Sequence, residues 1–218
     1  MRPDKTLPEA GPNVAGVLLA GGLSRRMGGG DKCLLKLGGR TLLERVIERA
    51  RPQVSALVLN ANGDPARFAS YGLPVTADAV KGFAGPLAGV LTGLEWAARN
   101  APGCRWVASF ATDAPFLPTD MVQRMVDALA AERAEMACAA SGGRAHPVFG
   151  LWPVSLADAL RRALVAEEVR KVDVWTARYR LIEVDFPAEP IDPFFNANRP
   201  EDLEAAERFL AEGAAGEA

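Results

Sequence analysis

Histidine occurs once in 218 residues, at His146, so no cluster of imidazoles can hold a metal. Cysteine occurs three times, at Cys33, Cys104 and Cys138. Their odd number and isolated positions match neither a disulfide framework nor a zinc spacing, which points to a reducing, cytoplasmic setting. Net charge is only −2. A nucleic-acid surface usually shows a basic excess, so no nucleic-acid partner is expected. No apolar run reaches the roughly 18 residues of a membrane span, and no membrane partner is expected either. The leader MRPDKTLPEAGPN lacks the apolar core of a signal peptide.

The rest of the composition is ordinary, with 49% hydrophobic and 24% charged residues, the balance of a globular chain. A chain of this length buries roughly 70% of its unfolded surface and needs no disulfide or metal staple. Up to about residue 135, short apolar runs alternate with helical periods. VAGVLLA (14–20), ALVLNAN (56–62), LPVTAD (73–78) and WVASFATD (106–113) read as strands. TLLERVIERARP, PLAGVLTGLEWAARN and PTDMVQRMVDALAAER read as helices, the last with Thr119 or Asp120 as its N-cap. Further on, EMACAAS, HPVFGLWP and RLIEVD read as strands, SLADALRRALVAE and PEDLEAAERFLAE as helices. The expected fold is α/β: a doubly wound, Rossmann-like, mostly parallel sheet with a mixed edge, in three layers. Ligands of such sheets lie beyond the carboxyl ends of the strands.

The stretch GVLLAGGLSRRMGGGDK (16–32) ends the first strand. It is not a P-loop, because Lys32 follows Asp31 and precedes Cys33; nor is it a dinucleotide fingerprint, because Gly21 and Gly22 are adjacent and the next glycine is Gly28. What remains is a long run of backbone amides with Arg25, Arg26 and Lys32 spaced along it, a combination suited to phosphate oxygens. Asp113 ends a buried strand, where a carboxylate must be solvated, hydrogen-bonded or bound to a cation. Magnesium needs only one or two carboxylates and takes water and substrate phosphate for the rest. Asp78 ends VTAD, and the two aspartates make either a carboxylate pair across a nucleoside triphosphate or separate turn and cap residues. Asn60 and Asn62 offer amides to a purine edge, or simply form a turn. GFAGPLAG is a close-approach loop or the start of a helix at Pro86. Asn196 and Asn198 precede a Pro-started helix, which Asn198 could cap. As a lone histidine, His146 reads more readily as structural than catalytic. No Ser-His-Asp or Cys-His arrangement is suggested. The available chemistry is charge neutralisation and positioning, which is what nucleotidyl transfer requires.

These motifs together, LAGGLSRRMGGGDK, NAN, GPLAG, TDAPF, HPVFGLW and NANRPEDL, resemble in order and spacing the molybdenum cofactor guanylyltransferases. The likeness covers nearly all of Val14–Leu210. It implies transfer of GMP from GTP to the phosphate of molybdenum-molybdopterin, with Mg2+ as cofactor and release of pyrophosphate. By that likeness Leu19, Ala20 and Gly21 line the guanine pocket, with Gly22 and Ser24 also on the nucleotide. Lys32 holds phosphates, Asn60 and Asp78 contact the nucleotide, and Asp113 ligates the metal. Arg26, Lys32 and Asp113 carry the chemistry, and Asn196 and Asn198 lie on the pterin side. The implied plan is a flexible leader over 1–13, one nucleotidyltransferase domain over 14–211 and a flexible tail over 212–218. The nucleotide part spans about 14–135 and the acceptor part about 136–211. Implied partners are GTP, the pterin, and molybdopterin-inserting and target molybdoenzymes. Gly21 stands where the cytidylyltransferases of this cofactor resemble LAAG, and the missing Cβ leaves room for a purine. Thr112, Ala114 and Arg199 depart from the family pattern, which bears on the acceptor contacts. A cytidylyl- or sugar-1-phosphate nucleotidyltransferase, and a molybdopterin carrier without catalysis, remain as alternatives.

Overall fold

The structure is a computed structural model that describes residues 13–20, 31–82, 85–197 and 199–216. Its strands are β1 (Val14–Leu19), β2 (Lys36–Leu37), β3 (Arg40–Thr41), β4 (Ala56–Asn60), β5 (Val75–Thr76), β6 (Trp106–Ala111), β7 (Met136–Ser141), β8 (Arg144–Pro153) and β9 (Leu181–Phe186). Its helices are α1 (Leu42–Ala50), α2 (Pro86–Asn100), α3 (Met121–Glu132), α4 (Ala157–Val165), α5 (Val172–Thr176) and α6 (Pro200–Gly216). The main sheet runs β5-β4-β1-β6-β8-β7-β9, and β2 and β3 form a separate small hairpin. β5, β4, β1 and β6 are parallel. β8 is antiparallel to both its neighbours, and β9 is parallel to β7. The mixed part of the sheet is therefore β8-β7-β9, with the reversed strand inside it.

The alternation of side chains along β1 builds both cores. Val14 and Leu18 enter one, with Leu43 and Val46 of α1 and Met121, Val122 and Met125 of α3. Ala15 and Val17 enter the other, with Leu87, Val90 and Leu94 of α2, Leu160 of α4 and Trp175 of α5. Two helical layers thus cover the two faces of the sheet, and the expected three-layer α/β fold is found. A third cluster joins Leu37 and Leu42 to Phe116, Ala197 and Ala206 of α6. This last helix spans Pro200–Gly216.

Local capping follows the sequence at one helix and departs from it at another. At α1, Thr41 Oγ1 accepts from Glu44 N at 3.1 Å, and the Glu44 carboxylate accepts from Thr41 N at 2.6 Å, a reciprocal capping box. At α3, Asp120 occupies the N-cap position but makes no side-chain bond to the helix. The Val122 amide donates instead to Gln53 Oε1 at 2.9 Å. Gln53 is buried, and its Nε2 donates to the Arg49 and Pro118 carbonyls, so its amide is satisfied on both sides.

Candidate active site

Parallel pairing brings the strand ends into one row. Leu19 lies opposite Asn60 on one side and Ala111 on the other, and Asn60 lies opposite Thr76. Thr76, Asn60, Leu19 and Ala111 therefore mark the carboxyl edge, and Asp78, Asn62, Ala20 and Asp113 lie just beyond it. Ala20 N donates to Asn60 O at 3.0 Å, and Thr112 Oγ1 donates to Leu19 O at 3.1 Å. Thr112, one of the departures from the family pattern, thus ties the turn before Asp113 to the end of β1.

Lys32 opens a short 3-10 turn (Lys32–Leu34) that returns the chain from the glycine-rich stretch. Its ammonium lies 2.5 Å from Asp113 Oδ2, with 15% of the Lys32 side chain and 23% of the Asp113 side chain exposed. Partial burial makes this charge pair stronger than a surface one. The preceding residue is held as well. Asp31 pairs with the Arg67 guanidinium, Nε to Oδ2 at 2.5 Å and Nη2 to Oδ1 at 3.2 Å. The Nε contact is ionic and lies off the hydrogen-bond direction. Arg67 Nη2 also donates to Asn62 O at 2.5 Å. No sequence signal marked Arg67.

Asp78 is anchored by both asparagines. Asn60 Nδ2 donates to Asp78 Oδ1 at 3.0 Å and to Thr76 O at 3.3 Å. Asn62 Nδ2 donates to Asp78 Oδ2 at 2.8 Å, and Asn62 Oδ1 accepts from Asp78 N at 2.9 Å. Asn62 thus orients Asp78 through one of its N–H donors and one lone pair of its oxygen. Each Asp78 oxygen keeps lone pairs for a further hydroxyl or N–H donor. Asp78 follows β5 and Asp113 follows β6, strands three spacings apart in the sheet, about 14 Å.

Gly89 of α2 was legible only as part of GPLAG. A Cβ there would lie 2.5 Å from Asn60 Oδ1 and 2.6 Å from Leu19 Cδ2, so the bare position lets α2 lie against the ends of β1 and β4. Ahead of α6, Ala197 N donates to Asp113 O at 3.0 Å, which joins the stretch bearing Asn196 to the backbone of Asp113. Arg26, Gly21, Gly22, Ser24 and Asn198 lie outside the described residues.

Burial pushes the Cys33 thiol, next to Lys32, up to about 12, and the nearby Asp31 charge adds to the effect. It is a packing residue and no nucleophile. Among the described residues no group of three or more His, Cys, Asp or Glu could enclose a metal. Asp113 alone at a strand end fits magnesium, which fills most of its shell with water and phosphate. Among the described residues no helix is long and apolar enough to cross a membrane.

The fold, with a lysine–aspartate pair at the ends of its parallel strands, is that of the α/β sheets that take ligands beyond their strand ends. Residues 16–179 match the MobA-like NTP transferase domain, and the chain belongs to that family. It is 58% identical over 200 residues to the molybdenum cofactor guanylyltransferase of Nitrobacter hamburgensis, covering 92% of this chain and 96% of the relative. It is 59% identical over 198 residues to that of a Bradyrhizobium species, covering 91% and 93%. The crystal structure of molybdopterin-guanine dinucleotide biosynthesis protein A from Archaeoglobus fulgidus shares the fold, with a TM-score of 0.72 and 24% identity over 91% of this chain and 99% of that one.

Proposed function

We propose that the protein transfers GMP from GTP to the terminal phosphate of molybdenum-molybdopterin, forming the molybdopterin guanine dinucleotide and releasing pyrophosphate. A phosphate oxygen of the acceptor attacks the α-phosphorus, a new P–O bond forms, and the bond to the β-phosphate breaks. The nucleophile is already an oxyanion, so no general base is required. The difficulty is charge, because the acceptor phosphate and the departing pyrophosphate are both anionic. The observation that carries the reading is the Lys32–Asp113 pair beside the ends of β1, β4 and β6. The names of the relatives point to the same reaction.

Lys32 holds triphosphate oxygens and offsets their charge, with Arg26 of the glycine-rich stretch assigned the same role. Asp78, fixed by Asn60 and Asn62, accepts from donors of the nucleoside. Thr112 and the Ala197 amide hold the backbone around Asp113 in place, so the acceptor meets a preformed site. Asp113 would hold Mg2+, which when bound neutralises phosphate charge and orients the triphosphate. Asn196 and Asn198 are assigned to the pterin side. Three free cysteines fit a cytoplasmic setting, from which the product passes to molybdopterin-inserting and target molybdoenzymes.

The test is Asp113→Asn, assayed by pyrophosphate release from GTP in the presence of molybdenum-molybdopterin and Mg2+. Turnover falls by a factor of about 100 to 1,000, while pterin binding measured by calorimetry persists. Unchanged turnover would remove Asp113 from the reaction, and absence of pyrophosphate release from the parent protein would favour the carrier reading.

A further inference from the structure

Ser141, His146 and Asp192 come from separate stretches of chain and meet outside the nucleotide half of the site. Ser141 ends β7, and β7 and β6 are both antiparallel to β8. Its carboxyl end therefore shares the sheet edge that bears Asp113, two strand spacings away, about 10 Å. Ser141 Oγ donates to Asp192 Oδ1 at 2.8 Å and lies 2.7 Å from His146 Nε2. A hydroxyl has one proton, and here the carboxylate takes it. His146 must then donate through Nε2–H, which selects its tautomer. A register slip in β8 sets His146 opposite Ala139 and Gly150 opposite Cys138, and such bulges commonly re-aim a side chain. Ser109 fills the slip, accepting from Gly150 N at 3.2 Å and from Trp152 Nε1 at 2.8 Å and donating to Val148 O at 2.6 Å.

Serine stands between histidine and aspartate here, so His146 donates to the hydroxyl and is not the general base of a Ser-His-Asp triad. The cluster acts on backbone instead. Asp192 Oδ1 also accepts from Phe194 N at 2.9 Å, and Asp192 O accepts from Phe195 N at 3.0 Å. The buried Phe194 ring packs 4.9 Å from His146, 4.8 Å from Phe149 and 5.3 Å from Phe186. Three residues on, Ala197 N reaches Asp113 O. The stretch 192–197 is therefore pinned at both ends, to the Ser141–His146 pair and to Asp113, with Asn196 between them.

We propose that His146, Ser141 and Asp192 are positioning residues: a latch that holds Phe194–Ala197 against Asp113 and so sets the acceptor half of the site. The proposal rests on the reading that the acceptor lies beside Asn196. In His146→Leu the Nε2–H is lost and the segment is released. Its KM for molybdenum-molybdopterin rises about tenfold while the KM for GTP stays within about twofold. His146→Gln places an amide N–H near the former Nε2–H and recovers most of the loss, whereas His146→Asn, with a shorter reach, does not.

A second measurement is independent of the acceptor. In His146→Leu and Ser141→Ala, hydrogen exchange of the Phe194–Ala197 amides quickens, while protection of the β1 and β6 amides is kept. Equal changes in both KM values, no change in either, no rescue by glutamine, or unaltered exchange over 194–197 would overturn the latch. Asn196→Ala separates the two ideas. If it leaves the acceptor KM unchanged, the acceptor has been placed wrongly; if it raises that KM and His146→Leu does not, the latch is wrong.

Discussion

Gly89→Ala sets a gain in helix propensity against a clash. In α2 the methyl group contributes about 1 kcal/mol relative to glycine. The new Cβ, however, would lie 2.5 Å from Asn60 Oδ1 and 2.6 Å from Leu19 Cδ2, about 1 Å inside ordinary contact. Asn60 is only 3% exposed, and its Nδ2 bridges Asp78 Oδ1 and Thr76 O, so its amide cannot turn without breaking those bonds. Overpacking costs about 1–3 kcal/mol, and a lost hydrogen bond to a charged group about 1.5–3 kcal/mol. The clash wins. The expected result is a net destabilisation of about 1.5–5 kcal/mol and a melting temperature lower by about 3–20 °C. Because Asp78 loses its orientation, GTP affinity by calorimetric titration falls about tenfold. A variant that melts higher than the parent and binds GTP equally well would refute the packing argument and the role given to Asn60.

Two further outcomes follow from the titrating groups. Burial holds the thiols of Cys33 and Cys138 up at about 12, whereas Cys104 is partly exposed. At pH 8 a thiol reagent should therefore modify one cysteine of the native protein rapidly and all three only after denaturation; fast reaction of Cys33 would contradict its packed setting. Burial lowers the His146 pKa from its ordinary value, with Arg144 lowering it further and Asp192 opposing. The unfolded chain then takes up its proton at the higher pH, so stability falls as pH drops below about 6.5. His146→Gln should flatten that slope in urea melts, and an unchanged slope would assign it to other groups.

The parallel half of the fold was legible because each buried strand is a short apolar run between helical periods, as in VAGVLLA and WVASFATD. The strand ends then located Asn60, Asp78 and Asp113, and the glycine-rich stretch after β1 located Lys32. The side-chain orientations were not legible. Asn62 turns inward because Asp78 comes from the neighbouring strand, a pairing visible only once β4 and β5 are in register. Gly89 matters because of how closely α2 approaches the sheet, and no local propensity encodes that distance. The two-residue strands β2 and β3 and the five-residue α5 are too short to show a period. The Ser141–Asp192 bond spans 51 residues, and Gln53 caps α3 across 69. Both arise from tertiary packing, which also explains why Asp120, a good cap by residue type, is left without that role.

Competition between GTP and CTP tests guanylyl transfer to the pterin. The protein is incubated with both nucleotides, Mg2+ and molybdenum-molybdopterin, and pyrophosphate and the dinucleotide product are measured by mass. The expected result is pyrophosphate release that depends on the pterin, with guanine in the product. Cytosine in the product, turnover with a sugar phosphate in place of the pterin, or no pyrophosphate at all would contradict it.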